Sequence, residues 1–313
     1  MRHIYRADAS LDIGAGHVMR SSAIAEESIS RGIETFFMGE ILDLPWVIDR
    51  INNLGFSRVY NQSNKLQINT NDVLIIDSYT ISKNDPFLYK QYWAKIISIF
   101  DDSTPDYICD VRIHPGIKQV WDQKTVVKTF SGPEFIPVRK AIVKSMKQKE
   151  SDPINIIITG GGPDNQNFAQ GVAQILSNTN ANFHALIFSN DSQKKSLDER
   201  FSFLPTGIAL DDIAEKADLV FTTASTTSFE FLAREIPIAI GCAVQNQLIN
   251  YKYLKKLKLA APIGIFEGSN WRFNSEVIIE VVKSKKMRDI LRQKSGNLVD
   301  LNGAKRIVDI ICE

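Results

Sequence analysis

The chain has 313 residues, a length that predicts two domains of about 150 residues each. Its hydrophobic content of 44% and charged content of 23% are typical of a globular protein and exclude a largely disordered chain. The net charge of +1 excludes the strongly basic surface of a typical nucleic-acid-binding protein, and no apolar run is long enough to cross a bilayer. We therefore expect a monomeric, cytoplasmic protein with no nucleic-acid partner and no stable membrane association.

The first predicted elements are a strand over residues 4–7, a loop that contains Gly14 and Gly16, and a helix that runs from His17 toward Gly32. The N–H groups in the first turn of a helix have no partners within it, so this loop suits an anion. Because a helix N-terminus disfavours a protonated imidazole, His17 is expected to be either neutral, and then a candidate general base, or paired with an acid. The alternatives are a capping or core histidine and a purely structural glycine turn.

The rest of the first half alternates strand-like and helix-like segments, which predicts right-handed βαβ units and a doubly wound sheet. Helices are predicted after Pro45 and around Asp85. Strands are predicted at residues 33–38, 73–77, 95–100, 109–113 and 126–130.

Acidic residues follow two of these strands. Asp77 ends a continuous apolar run, which is typical of a buried parallel strand, and Tyr79 comes two residues later. Both are candidate residues for binding a substrate or orienting the base, and the alternative for Asp77 is a cap on the next helix. Asp101 and Asp102 follow the next strand, where a role in starting a turn is as well supported as a functional one.

A polar, charged stretch over residues 144–153 marks the predicted boundary between domains at 1–143 and 153–313. The pattern then restarts with a strand, a glycine run that includes Gly161, and a helix. Two such domains usually leave a cleft between them, and ligands bind outside the carboxyl ends of the strands. In this half, strands are predicted at 154–159, 183–188, 218–222 and 237–241, and helices at 167–176, 277–282, 287–293 and 304–311, so that the last third is helical.

A hydroxyl-rich loop follows the strand at 218–222 and leads into a predicted helix. Ser225 and Thr226 lie where hydroxyl and N–H groups can hold a diphosphate without a lysine. Glu230, one turn later, can accept hydrogen bonds from both ribose hydroxyls. The alternative is a capping box with Thr227 as the N-cap, and the two roles are compatible. Two amides at the start of the next helix can bind sugar hydroxyl or acetamido groups, namely Asn246 and Gln247.

The other histidines and the cysteines indicate no metal chemistry. His3 and His184 lie in predicted strands, where partly buried side chains with satisfied hydrogen bonds are expected, and His114 lies in a predicted loop. None of them has a second His or Cys at a metal-ligand spacing. The cysteines are scattered and are expected to be reduced thiols. We therefore expect no metal and no other cofactor.

Several of these motifs together resemble one family. The N-terminus combines Asp8 in an Arg-Ala-Asp-Ala-Ser sequence with Gly14-x-Gly16-His17-x-x-Arg20. This combination resembles the UDP-2,4-diacetamido-2,4,6-trideoxy-β-L-altropyranose hydrolases of pseudaminic acid biosynthesis, which are related to spore-coat polysaccharide proteins. The resemblance covers essentially the whole chain, through residues 76–79, 101–102, 109–110, 161–167, 225–230, 246–247 and 302–307.

The resemblance implies a GT-B fold, in which two doubly wound, Rossmann-like α/β domains face each other across a cleft, as in the lipid-II-forming N-acetylglucosaminyltransferases. It implies that UDP binds mainly to the C-terminal domain, with Glu230 at the ribose and Ser225 and Thr226 near the diphosphate. It also implies that His17 is the catalytic residue of an inverting hydrolase: water attacks the anomeric carbon of a UDP-sugar, UDP leaves and the free sugar is released. The other expected substrate-binding residues are Asp8, Gly14, Gly16, Arg20, Asp77, Tyr79, Gly161, Asn246 and Gln247.

The chain departs from the family pattern in two places. Phe135 stands where the family has a tyrosine, and the helix that ends at Glu235 lacks the glycine that is common before Pro237. Two other functions are compatible with the same residues. One is an inverting glycosyltransferase that uses a hydroxyl acceptor in place of water, and the other is a non-catalytic nucleotide-sugar binding protein, which would not need His17.

Overall fold

A computed structural model describes residues 1–60, 66–101, 105–117, 127–147, 149–161, 164, 166–188, 197–205 and 210–313. The chain forms two compact units. Unit 1 comprises Met1–Lys140 and Leu301–Glu313, and unit 2 comprises Ala141–Asp300. Each unit is built on its own sheet.

The elements are numbered in chain order. The strands are β1 (His3–Ala7), β2 (Thr35–Met38), β3 (Arg58–Tyr60), β4 (Val73–Asp77), β5 (Lys95–Ile99), β6 (Val111–His114), β7 (Lys128–Ser131), β8 (Ile154–Thr159), β9 (Phe183–Phe188), β10 (Phe201–Leu204), β11 (Leu219–Thr223), β12 (Ile238–Cys242), β13 (Ala261–Glu267) and β14 (Asn270–Phe273). The α-helices are α1 (Gly16–Ser30), α2 (Pro45–Asn53), α3 (Phe168–Ser177), α4 (Asp211–Ala214), α5 (Thr226–Ala233), α6 (Leu248–Leu257), α7 (Ser275–Lys283), α8 (Lys285–Ser295) and α9 (Gly303–Cys312).

The described part of unit 1 forms a parallel sheet in the order β3-β2-β1-β4-β5-β6-β7. Successive strands are added to one side of β1 and then to the other, so β1 pairs with β2 on one side and with β4 on the other. Because the carboxyl ends of parallel strands lie at one edge, the residues that follow β1, β4 and β5 meet at this topological switch point. The sheet therefore places Asp8, Asp77 and Asp101 at the same edge.

Alternate residues of the central strands pack on opposite faces of this sheet. Tyr5 and Ile75 belong to a core shared with the helices α1, α2 and α9, whereas Ile4 and Leu74 belong to a second core on the other face. Trp93 also lies in that second core. Both faces are therefore buried, which explains the continuous apolar runs in these strands.

The helix predicted around Asp85 is wrong. The chain there makes only short 3-10 turns, at Pro86–Leu88 and Lys90–Tyr92. The Asp85 side chain accepts the N–H of Phe87 at 2.9 Å, so it caps a single turn. The Trp93 indole N–H then donates to the Phe87 carbonyl at 2.7 Å, which ties this turn to the core. Side chains such as Trp93, and not an α-helix, therefore cover the second core of unit 1 at this point.

Unit 2 repeats the same order, β10-β9-β8-β11-β12-β13-β14, with β14 antiparallel to β13. The helices predicted near the C-terminus are confirmed as α7, α8 and α9. The expectation that the last third is helical is wrong in part, because the hairpin of β13 and β14 precedes these helices. Its turn contains Gly268 at φ 67°, a conformation that glycine adopts readily.

The last helix, α9, packs on unit 1, so the predicted domain limits of 1–143 and 153–313 are wrong at the C-terminus. Ile307 and Ile311 of α9 lie in the core of unit 1. On the surface, Arg31 of α1 pairs with Asp309 at 2.7 Å. The sequence shows that an amphipathic helix has an apolar face, but it does not show which domain that face packs against.

The three histidines outside the candidate site all lie in strands. His3 and His184 lie in β1 and β9 as predicted, but His184 is exposed rather than partly buried. His114 lies in β6 rather than in a loop and is buried, with its Nδ1 3.1 Å from the Ser131 hydroxyl.

We expect His3 to make the free energy of unfolding fall at acidic pH. His3 is fully buried, its Nδ1 lies 2.9 Å from the Ser28 hydroxyl, and burial with nearby positive charges lowers its pKa to about 4. The unfolded chain takes up the proton first, near pH 6.5, so the His3 contribution is complete above that pH. It is lost as pH falls toward 4, and the loss is on the order of 3 kcal/mol.

Urea unfolding of wild type and His3→Gln at pH 7 and pH 4.5 measures this contribution. The variant should lose less stability on acidification than the wild type does. His184→Gln, which replaces an exposed histidine, is the matched control and should behave like wild type. Equal acid sensitivity of His3→Gln and wild type would show that His3 does not carry the effect.

Candidate active site

The loop between β1 and α1 brings His17 to the switch-point edge of unit 1. Gly14 has φ 76°, and its N–H donates to the Ser10 carbonyl at 2.8 Å, which closes a tight turn. Helix α1 then begins at Gly16, with Ala15 as its N-cap and no capping side chain. The predicted order of strand, glycine loop and helix is confirmed, and His17 lies in the first turn of α1.

His17 is buried and paired with Asp77 at the end of β4. The distance from His17 Nδ1 to Asp77 Oδ1 is 2.6 Å, and Asp77 is fully buried. An ionised carboxylate only accepts hydrogen bonds, so the Nδ1 atom carries the proton in the neutral imidazole and Nε2 keeps its lone pair. Nε2 makes no hydrogen bond to any residue that the structure describes. The helix-cap interpretation of Asp77 is therefore wrong.

Arg20 lies one turn after His17 on the same helix face and joins two carboxylates. Its guanidinium donates to both oxygens of Asp77, from Nε at 2.7 Å and from Nη2 at 2.6 Å. It also donates to Asp101. Burial alone would lower the Arg20 pKa, but the two carboxylates raise it well above its usual value. Arg20 is thus a permanent cation that neutralises the buried Asp77 and the partly buried Asp101.

Asp101 completes this network at the end of β5. Burial would raise the pKa of its carboxyl, but the Arg20 guanidinium outweighs burial and lowers the pKa to about 2. The Tyr79 hydroxyl donates to Asp101 Oδ2 at 2.9 Å. The Tyr79 ring also meets the His17 ring edge-on, with 4.3 Å between centroids and 84° between planes. Tyr79 therefore contacts both the histidine and the second carboxylate.

A cavity of about 260 Å³ opens beside this network within unit 1. Its wall includes His17 and Tyr79 together with residues from the end of β5. It continues along Ile81 and Tyr107, so it is partly apolar. The cavity gives His17 access to a small molecule.

Asp8 was expected to bind substrate, but the structure gives both of its oxygens to protein donors. Oδ1 accepts from the Arg6 guanidinium and from the Glu40 N–H, which lies at 2.8 Å. Oδ2 accepts from the hydroxyls of Ser78 and Thr80, both at 2.8 Å. Burial opposes ionisation, yet these donors lower the pKa of Asp8. Asp8 is therefore an ionised anchor at this edge.

In unit 2, Gly161 and Ser225 lie together at the carboxyl edge of the sheet. Gly161 has φ 78°, and a Cβ built on it would stand 2.5 Å from the Ser225 hydroxyl and 3.2 Å from that of Thr223. The Ser225 Oγ atom is buried and has no hydrogen-bond partner among the residues described. A glycine that leaves space next to an unsatisfied hydroxyl forms a small polar cradle.

The helix beside this cradle differs in detail from its prediction. Helix α5 begins at Thr226 with Ser225 as an N-cap that makes no side-chain cap, so the predicted capping box with Thr227 as the N-cap is wrong. The first N–H groups of α5 therefore lack a capping side chain. Glu230 lies one turn into the helix and is half-buried.

The predicted amides follow β12 in a 3-10 turn over Gln245–Gln247. Gln247 points back to the sheet edge: its Oε1 accepts the Ala243 N–H at 2.9 Å, and its Nε2 lies 3.4 Å from the Thr223 hydroxyl. Asn246 is exposed. Gln247 is thus tied to the strand that carries Thr223, whereas Asn246 faces solvent.

The glycine run after β8 contains an acid that the sequence did not single out. Asp164 accepts the N–H groups of Phe168 and Ala169, at 2.9 and 3.0 Å, in the first turn of α3. Burial raises its pKa to about 6, against these two donors. The neighbouring Gly162 and Pro163 lie outside the described residues, as does Asp102 in unit 1.

The described residues contain no group of three or more His, Cys, Asp or Glu side chains that could hold a metal ion. None of the helices in the described ranges is both long and apolar enough to span a membrane.

Sequence and structure comparisons agree with the motif resemblance. No family model matches the chain. It is 25% identical over 271 residues to the UDP-2,4-diacetamido-2,4,6-trideoxy-β-L-altropyranose hydrolase of Campylobacter jejuni, a match that covers 82% of this chain and 97% of that protein. The resemblance inferred from the N-terminal motif is therefore confirmed.

Solved structures confirm the fold. The chain matches MurG of Acinetobacter baumannii with a TM-score of 0.65 and 12% identity, covering 100% of this chain and 99% of that one. It matches the spinosyn forosaminyltransferase SpnP with a TM-score of 0.67 and 10% identity over the full length of both chains. The protein has the two-domain α/β architecture of GT-B glycosyltransferases, as the sequence predicted.

Proposed function

We propose that this protein is an inverting hydrolase of a UDP-linked diacetamido-trideoxyhexose, which releases UDP and a free sugar for the synthesis of a nonulosonic acid such as pseudaminic acid. The observation that carries the proposal is the buried pair of His17 and Asp77, in which Nε2 lies next to a cavity and has no hydrogen-bond partner among the described residues. A hydrolase needs such a base to take a proton from water. The name of the Campylobacter jejuni relative supports the choice of substrate.

In the proposed reaction, His17 Nε2 accepts a proton from water as the water oxygen attacks the anomeric carbon. The bond from that carbon to the UDP oxygen breaks on the opposite face, so the sugar is released with inverted configuration. Asp77 holds the Nδ1 proton and stabilises the imidazolium that forms, as the aspartate of a Ser-His-Asp triad does. Arg20 offsets the second buried negative charge, since it spans Asp77 and Asp101.

We assign the UDP portion to the carboxyl edge of unit 2. The open N–H groups at the start of α5 and the unsatisfied Ser225 hydroxyl suit a diphosphate. Thr226 adds a second hydroxyl, and Glu230 is proposed to accept the ribose hydroxyls. Asn246 and Gln247 are proposed to bind polar groups of the sugar. The N-terminal loop with Gly14 and Gly16 is proposed to make room at the reacting carbon.

Incubation of the purified protein with the UDP-sugar, without any acceptor, tests the reaction. NMR should show UDP and a free sugar appearing together, with the first-formed anomer inverted relative to the substrate. Turnover only after addition of a hydroxyl acceptor would instead indicate a glycosyltransferase, the activity named for the structural neighbours. Saturable binding without turnover of any UDP-sugar would indicate a nucleotide-sugar binding protein.

Gly161→Ala is expected to weaken UDP binding by about tenfold or more. The new methyl group would stand 2.5 Å from the Ser225 hydroxyl and occupy the cradle proposed for the diphosphate. A loss of one or two charge-assisted hydrogen bonds corresponds to that change in affinity. Isothermal titration with UDP measures it.

Gly268→Ala is the matched control for backbone strain. Gly268 has a similar φ of 67°, but no atom lies within 4 Å of its added Cβ. This variant should bind UDP as wild type does. Unchanged UDP affinity in Gly161→Ala would remove the cradle from the proposed binding site.

A further inference from the structure

The carboxylate of Asp8 divides its two oxygens between two parts of unit 1. Oδ1 accepts from Arg6 on β1 and from the Glu40 N–H just beyond β2, so it is fixed to the sheet. Oδ2 accepts from the hydroxyls of Ser78 and Thr80. One oxygen therefore anchors the side chain, and the other holds the segment that follows β4.

That segment carries Tyr79 between the two hydroxyls. Tyr79 is 54% exposed, and its hydroxyl donates to Asp101 Oδ2 at 2.9 Å, so the ring is held at its hydroxyl end by Asp101 and at its other end by the backbone. The Ser78 and Thr80 hydroxyls also lie 3.0 Å from each other, and the Thr80 N–H donates to the Ser78 hydroxyl at 3.1 Å. The backbone on both sides of Tyr79 is thus tied to one buried carboxylate.

We propose that Asp8 is a positioning residue for the reaction, which acts by holding Tyr79 against His17. This inference rests on the proposed role of His17 as the base. Asp8 does not contact the reacting groups in this arrangement, because both of its oxygens are occupied by protein donors. We call the hydrogen-bonded group of Asp8, Ser78 and Thr80 the Asp8 clamp.

The clamp supplies a restraint that Asp77 alone does not. The hydrogen bond from Nδ1 to Asp77 fixes one point of the His17 ring but permits rotation about that bond. The edge-on contact with Tyr79, 4.3 Å between centroids, restricts the plane of the ring and hence the direction of the Nε2 lone pair. Misdirection of a base by about 1 Å costs up to a hundredfold in rate.

The double variant Ser78→Ala with Thr80→Val removes the two hydroxyls that donate to Asp8 Oδ2. It leaves the hydrogen bonds to Asp8 Oδ1 in place. We expect kcat to fall by about tenfold to a hundredfold. The variant Ser78→Thr with Thr80→Ser keeps both hydroxyls and should restore the wild-type rate to within about twofold. Ser82→Ala is the control. It removes a hydroxyl of the same segment, but this hydroxyl accepts from the Asn84 N–H and does not contact Asp8, so kcat should be unchanged.

A double-mutant cycle with Tyr79 tests whether the clamp acts through that side chain. In a Tyr79→Ala background, loss of the two hydroxyls should have no further effect on kcat, because there is no ring left to position. An equal fall in kcat in both backgrounds would overturn the inference. So would a wild-type rate in the double variant that lacks both hydroxyls.

An NMR measurement on the free protein separates this inference from the proposed function. The Tyr79 ring should shift the His17 carbon-bound ring protons through its ring current. The shift should disappear in Tyr79→Ala, decrease in Ser78→Ala with Thr80→Val, and persist in Ser82→Ala. Absence of any UDP-sugar turnover would overturn the proposed function alone, whereas an unchanged His17 shift in the double variant would overturn the Asp8 clamp.

Discussion

His17→Ala is expected to lower kcat for UDP release by about a thousandfold, within the range that general-base catalysis supplies. The substitution removes the proton acceptor while leaving the acids and Arg20 in place. Single-turnover assays that follow UDP and free sugar measure this effect.

His184→Ala is the matched control, since it removes an exposed histidine from β9. It should retain the wild-type rate. Prompt UDP release by His17→Ala at the wild-type rate would show that another group activates water. Circular dichroism of both variants should match wild type, because His17 contributes little to the apolar core.

Gly303→Ala is expected to destabilise unit 1 by about 3 kcal/mol. A Cβ at this first residue of α9 would overlap the carbonyl oxygen and carbon of Ile136, both of which are backbone atoms. Helix α9 would have to move away, and with it Ile307 and Ile311 would leave the core of unit 1. Urea unfolding monitored by circular dichroism measures the change.

Gly32→Ala provides the control for this prediction. Gly32 lies in the same unit at φ 74°, and no atom lies within 4 Å of an added Cβ. The Gly32→Ala substitution should lower the free energy of unfolding only through backbone strain, by about 1 kcal/mol. A wild-type unfolding midpoint for Gly303→Ala would show that α9 contributes little to the stability of unit 1.

The parts of the site that follow directly from the sequence are those set by strand and helix periodicity. An apolar run that ends in an acid predicts a buried strand with its carboxylate at the functional edge, and Asp77 lies there. Residues three apart on a helix share a face, so His17 and Arg20 project together. The glycine loop, the helix after it and the doubly wound sheet follow from the same periodicity, whereas the GT-B fold is what the family resemblance implies.

Other contacts depend on which strands become neighbours, and local pattern does not encode that. Asp101 was weighed equally as a turn residue, yet the pairing of β4 with β5 brings it to Arg20. Ser78 and Thr80 were not singled out, although two hydroxyls that flank a site tyrosine are a signal for a buried acceptor. The expectation that Asp8 binds substrate rests on the N-terminal motif, which does not reveal these hydroxyl partners.

Glu235 shows how a residue other than glycine can hold a left-handed backbone. The position follows α5 and adopts φ 60°, the left-handed region in which glycine is favoured. Glu235 takes this conformation while its carboxylate accepts from Lys144 Nζ at 2.6 Å.

The placement of Asp164 gives unit 2 a counter-ion of its own. Its carboxylate already accepts the first N–H groups of α3, so the positive end of that helix dipole is neutralised from within the chain. Of the two helices that flank the switch point between β8 and β11, α5 is then the one whose first turn lacks a side-chain acceptor. The two helix ends therefore differ in charge, and we expect an added anion to bind at the first turn of α5 rather than at that of α3.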